Sequence, residues 1–195
     1  MDRTGQAPGR RERKKAATRQ ALSDAARRLF LERGFDQVTV AEIADAADTA
    51  VSTLFVHFPG GKEALVLGDG DERERLLTSA VLDRADGVPV LRALEEFFAT
   101  RGPFAMGADP EYRALAALVV STPALRAYAR TLWMSCEAAL VRVIAEQTGR
   151  GTDDMSLRLL VRYVLEIPDI AGVEAEPRVA LDAAFTHLRR GWPDL

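Results

Sequence analysis

The chain has 195 residues, 48% of them hydrophobic and 28% charged, and a formal net charge of −3. That balance fits a soluble globular chain with one core and a small satellite domain, and it excludes disorder throughout. No run approaches the roughly 18 apolar residues of a membrane span, and the polar, basic start lacks the apolar middle of a signal peptide, so a cytoplasmic protein is expected.

Cys136 is the single cysteine, which excludes an internal disulfide; helical packing is its ordinary role, and redox sensing would need an exposed, stabilised thiolate. His57 and His187 are the only histidines, no spacing resembles a structural zinc site, and neither metal nor other cofactor is expected. Charge is unevenly placed. Residues Met1 to Arg33 carry ten basic against four acidic side chains, a net of +6 that leaves −9 on the remainder. A cationic head on an acidic body suits a polyanion-binding protein, because phosphate neutralisation releases counterions; a solvated tail would show the same run.

In chain order, residues 1–9 lack apolar periodicity, contain Gly5, Pro8 and Gly9, and are expected to form a flexible arm. Leu22, Ala25, Ala26, Leu29 and Phe30 then fall at i, i+3, i+4, i+7 and i+8, a first amphipathic helix that Gly34 stops. Thr39 and Glu42 have capping-box spacing, flanked by the staple pair Val38 and Ile43, so a helix over roughly Val40 to Ala47 follows. Asp48-Thr49 breaks it before a second short helix, about Ala50 to His57, ended by Phe58-Pro59. Two short helices and a tight turn make a helix-turn-helix candidate.

From Gly61 an amphipathic connector runs towards Arg84, with Gly68 and Gly70 as candidate kinks. Further helices are expected to start at Pro89, Asp109-Pro110 and Thr122-Pro123, where proline's missing amide costs nothing. The longest covers about Pro123 to Thr148. The last two lie near Asp153 to Glu166 and Pro177 to Arg190, separated by a loop holding Pro168 and Gly172. Without period-2 strands or internal repeats, the fold class is all-α with about nine helices.

The run Thr39-Val-Ala-Glu-Ile-Ala-Asp-Ala-Ala-Asp48, continuing Thr49-Ala-Val-Ser-Thr-Leu-Phe-Val-His-Phe58 and Pro59-Gly-Gly-Lys-Glu-Ala-Leu65, resembles the DNA-binding signature of the TetR family. Arg19 to Phe35 matches the helix before it, so the motif covers about a third of the chain. The resemblance implies an N-terminal three-helix DNA-binding domain over residues 10–65 and a helical effector-binding and dimerisation domain over 66–195. Ile43, Ala44, Ala47 and Leu54 have the spacing to pack the two short helices on the first. Val51, Ser52, Thr53 and Val56 are then the face that meets base edges or the sugar-phosphate rim in the major groove. Thr39 and Lys62 match phosphate-contacting positions at helix starts, Arg19 and the segment Arg10 to Lys15 add backbone or minor-groove contacts, and His57 is a further phosphate candidate.

This chain departs from the family pattern at four places. Phe55 stands where the family usually has tyrosine, and without the hydroxyl it is expected to pack. Asp48, Thr49 and Ala50 replace the usual glycine, valine and serine; aspartate tolerates the left-handed turn, and Thr49 becomes the candidate cap of the recognition helix.

The family likeness also implies double-stranded operator DNA as partner, a homodimer, and a small-molecule effector. Leu157, Leu160, Val161 and Val164 with Val179, Ala183 and Leu188 offer apolar stripes for a four-helix interface. Phe97, Phe104, Met106, Tyr112, Tyr128, Trp133 and Met134 are candidate ligand-binding residues, although each serves equally well as core. The run Val119 to Arg126 looks like a subgroup associated with acyl-CoA-like ligands, with Arg113, Arg126 and Arg130 as candidate phosphate anchors. Catalysis is not expected: the histidines lie far apart, Cys136 has no evident base, no glycine-rich phosphate loop follows a strand, and Asp69-Gly-Asp71 lacks the rest of a calcium loop. The rival to a ligand-responsive repressor is a constitutive or protein-controlled regulator whose C-terminal domain only dimerises.

Overall fold

A computed structural model describes residues 9–192, all helix, turn and loop. Apart from Gly9, the expected flexible arm lies outside the described residues. The chain divides into two compact units, with the boundary between Gly68 and Asp69. No helix among the described residues is long and apolar enough to cross a membrane.

The first unit holds α1 (Arg10–Arg33), α2 (Val40–Ala46), α3 (Val51–His57) and α4 (Gly61–Leu67). Leu22, Ala25, Ala26, Leu29 and Phe30 form the buried stripe of α1, as their spacing requires. Gly34 stops that helix at φ 82°, a backbone angle that side chains resist, and its N–H bonds Phe30 O. The chain can then fold Phe35 onto Phe30, with ring centroids 5.0 Å apart. α2, α3 and α4 all pack on α1. The basic run Arg10 to Lys15 forms the first turns of α1, because good helix formers there extend the helix in an exposed position.

The second unit holds α5 (Gly70–Leu82), α6 (Val90–Ala99), a 3-10 turn at Gly102–Phe104, α7 (Pro110–Ser121), α8 (Pro123–Ser135), α9 (Glu137–Thr148), α10 (Met155–Ala171) and α11 (Pro177–Gly191). Its core runs from Leu77, Leu91, Leu94 and Phe98 through Leu140 and Ile144 to Leu160, Val164, Leu181 and Phe185. α10 lies against α8, α9 and α11, while α5 lies against α6, α8 and α9.

Eleven α-helices among the described residues, against about nine expected, follow from two breaks. The connector divides where Gly68 takes φ 72° and Asp69 is extended, so α4 ends and α5 starts anew. The long helix divides at Cys136, whose thiol donates to Leu132 O at 3.3 Å while its backbone N–H turns to Trp133 O at 3.1 Å. The side chain thus takes the carbonyl the backbone would have used. The loop expected around Pro168 is helix instead: α10 runs on to Ala171, held by buried Ile167 and Ala171, and a proline removes only one ladder bond.

Candidate nucleic-acid interface

The geometry of α2 and α3 begins with local chemistry. Thr39 Oγ1 accepts from the Glu42 amide at 3.2 Å while Glu42 Oε2 accepts from the Thr39 amide at 2.8 Å, a complete capping box. Arg33 adds an ion pair to Glu42 at 2.8 Å. The Thr39 amide foremost, then Arg33, hold the Glu42 carboxyl down at about 2. Val38 and Ile43, the staple pair, are both buried. The turn after α2 places Asp48 at φ 50°, where aspartate substitutes for glycine. Thr49 does not cap α3: Ala50 takes the cap position without a side-chain bond, and the Thr49 amide returns to Ala44 O at 3.0 Å.

At 100° per residue, Val51, Ser52, Phe55 and Val56 span an arc of about 140° on α3, and all four are exposed. Leu54 points the other way and is fully buried. Thr53 is half-buried on the flank of that arc, and His57, also half-buried, lies on the opposite side of the helix. Phe55, expected to pack, is 45% exposed, because the wheel position it shares with Val51 faces away from α1. Testing the i, i+4 pairs Val51–Phe55 and Ser52–Val56 against Leu54 would have revealed it from sequence.

Two candidate phosphate contacts have internal work. Arg19 Nη1 donates to His57 O at 2.5 Å, and its guanidinium stands 4.3 Å over the Phe58 ring, bracing the carboxyl end of α3. Lys62 Nζ donates to Phe35 O at 2.7 Å and sits 4.2 Å over the Phe35 ring, tying α4 to the loop after α1. His57 Nδ1 is buried with no hydrogen-bond partner among the described residues. Thr39 is exposed at the start of α2, Thr49 is half-buried, and Arg10, Arg11, Arg13, Lys14 and Lys15 are exposed along the start of α1.

In the second unit, the aromatic and methionine candidates divide between buried core and exposed surface. Phe97, Phe98 and Trp133 interlock edge to face, with centroids 5.1 to 6.3 Å apart. Phe104 is buried, Met106 is 78% exposed, and Tyr112 accepts from the Gly102 amide at 2.7 Å. Tyr128 and Met134 are half-buried. Arg73 lies 4.3 Å over the Trp133 ring. A groove of about 420 Å³ opens between α5 and α6, with Phe97 alone of the candidates in its wall, beside Leu76, Ala80, Val88, Ala93 and Arg101. The proposed anchors Arg126 and Arg130 instead pair with Asp169, at 2.9 Å, and Glu166, joining α8 to α10. Burial pushes the Cys136 thiol up, away from the reactive thiolate.

Comparison with known proteins agrees with this architecture. Residues 22–68 match the family described as bacterial regulatory proteins, tetR family, and residues 88–193 match the MftR C-terminal domain. The mycofactocin biosynthesis transcriptional regulator MftR of Mycobacterium tuberculosis is 30% identical over 143 residues, 73% of this chain and 71% of that protein. The HTH-type transcriptional regulator TcmR of Streptomyces glaucescens is 32% identical over 157 residues, 77% of this chain and 69% of its own. A TetR-family regulator from Streptomyces coelicolor shares the fold at TM-score 0.59 and 24% identity, with 96% of each chain covered. The helix-turn-helix unit, the helical unit that follows it and these relatives together place the chain in the TetR family of DNA-binding transcriptional regulators, not among enzymes.

Proposed function

We propose that the protein is a repressor that binds a palindromic operator as a homodimer and leaves it when a small apolar or acyl-type effector occupies the second unit. The observation that carries the DNA half is the exposed arc of α3 in the same unit as the exposed basic start of α1. Arginine and lysine supply the sequence-independent attraction to phosphate, and the projecting helix supplies discrimination. Thr39, Ser52 and Thr53 are the hydroxyl contacts of this reading, and two of the three ammonium protons of Lys62 remain for a phosphate once Phe35 O is served.

Dimerisation falls to the outer faces of α10 and α11, but through different residues from those expected. Leu157, Leu160, Val161 and Val164 are fully buried in the chain's own core, and Leu188 is buried with them. On the opposite face of α10, Met155, Leu159, Tyr163 and Ile170 lie within an arc of about 80° and are exposed. Val179 is 59% exposed on α11, and Ala183 shares that face. Apolar surface of this extent on two adjacent helices suits a two-fold, self-complementary interface.

The effector half is supported by the open groove between α5 and α6, where Leu76, Ala80, Val88 and Phe97 offer apolar carbon to an alkyl or acyl chain beside the charged groups of Asp83, Arg84, Glu96 and Arg101. The packed Phe97, Phe98 and Trp133 cluster favours the constitutive alternative, since it fills the centre of the unit. Selection of bound duplex from a random pool, followed by titration of acyl-thioesters with and without that duplex, separates the two. Coupling of roughly 1 to 3 kcal/mol changes operator affinity about 5 to 150-fold and must act reciprocally on the ligand. Ligand binding that leaves operator affinity unchanged would establish the constitutive alternative.

A further inference from the structure

We infer that α3 reads thymine C5-methyl groups through Val51, Phe55 and Val56, so that each operator half-site carries A·T pairs under this helix. The inference rests on the DNA-binding reading above and adds the chemistry of its base recognition. Among the described residues of the first unit, the exposed large hydrophobic side chains are these three, at 37%, 45% and 74% exposure. They stand side by side on one helix face while Leu54 and Phe58 are buried. The apolar surface of this unit is therefore concentrated where a partner would meet it.

What α3 lacks narrows the partner's chemistry. Its sequence, Val-Ser-Thr-Leu-Phe-Val-His, holds no arginine, lysine, asparagine or glutamine. Bidentate contacts to guanine O6 and N7, or to adenine N6 and N7, need those side chains. The thymine methyl is the major-groove feature that apolar carbon recognises directly. Ser52 is the one hydrogen-bonding side chain on the exposed arc and half-buried Thr53 lies beside it, so at most two hydroxyls accompany a mainly apolar readout. Affinity then comes from elsewhere in the unit: exposed Arg10, Arg11, Arg13, Lys14 and Lys15 on α1 are available for phosphates.

The brace from Arg19 to His57 O serves this mode of reading. A methyl contact is short-ranged, and its value falls steeply with a gap of an ångström. A helix that reads by shape must be held at a fixed depth, whereas a long arginine or glutamine side chain can adjust.

The test uses the full chain and the duplex selected from a random pool. Each thymine of one half-site is replaced in turn by deoxyuridine, which removes the methyl and leaves pairing intact. At one or two positions the wild-type protein should lose about fourfold in affinity, the value of one buried methyl group. Val56→Ala and Phe55→Leu, both at exposed sites, should bind more weakly and lose less than twofold on the same replacement. That coupling between side chain and methyl is what a merely structural residue would not produce. An enriched operator whose thymines all tolerate uracil, or a half-site of G·C pairs under α3, overturns the methyl readout and leaves the DNA-binding reading intact. A pool from which wild-type protein enriches no sequence overturns both.

Discussion

Arg189 of α11 donates to the carboxylate of Glu95 on α6 at 2.7 Å, and Glu95 is only 5% exposed. Arg92 reaches the same oxygen at 3.1 Å from one turn away. A buried carboxylate in an all-helical core is tolerable only while such donors satisfy it. Removing the α11 partner by Arg189→Ala should cost about 2 kcal/mol in urea unfolding, because a charge is left under-satisfied. Adding Glu95→Leu to that variant should recover much of the loss, since the burial cost disappears with the charge. Equal stability of wild type and Arg189→Ala would show the pair to be incidental.

Glu42 gives the first unit an acid-sensitive contact. Its carboxyl is held at about 2 against 4.5 for the free group, so its contribution is complete above about 4.5 and disappears as pH falls towards 2. Glu42→Gln should flatten the dependence of stability on pH in that window while leaving neutral-pH helicity nearly intact. Thermal unfolding followed by circular dichroism between pH 5 and pH 2 reads the difference directly, and parallel curves for the two proteins would contradict it.

On the DNA-binding proposal Lys62 has two jobs, and one substitution reads both. Lys62→Ala should lower stability by about 1 to 2 kcal/mol, because the bond to Phe35 O and the contact with the Phe35 ring are both lost. With a phosphate contact also lost, the salt dependence of DNA affinity should flatten by about one unit of slope. Lower stability with an unchanged slope would assign Lys62 to the α4 junction alone.

Charge placed in the outer face of α10 should break the dimer. Tyr163→Glu combined with Ile170→Glu introduces four carboxylates per two-fold interface, at positions now 52% and 63% exposed. Light scattering should give one chain mass for the variant and two for the wild type, with the monomer's helicity unchanged. A variant that stays dimeric would move the interface elsewhere.

Cys136 should be slow to react. Its thiol is fully buried, donates to Leu132 O and is pushed up by burial, so alkylation should proceed only through unfolding. Reaction with iodoacetamide at the rate of a free thiol in folded protein would require a local opening of the α8–α9 junction.

The residues that determined structure locally were legible without coordinates. Thr39 and Glu42 cap α2, Gly34 ends α1, Asp109-Pro110 and Thr122-Pro123 open α7 and α8, and Asp48 makes the left-handed turn, because each acts on backbone groups within a few residues. α3 was legible through its likeness to the TetR signature and not through a cap, since Ala50 makes no side-chain bond at its start. Contacts between distant segments were not. α10 carries apolar residues on two opposite faces, and only its packing on α8, α9 and α11 decides that Leu157 and Val164 go inside while Tyr163 and Ile170 remain outside. Periodicity names the faces of a helix, but burial depends on which neighbours arrive to cover them. Likewise Arg19 and Lys62 read only as candidate DNA contacts until the fold brings the carbonyls of His57 and Phe35 within 2.5 and 2.7 Å.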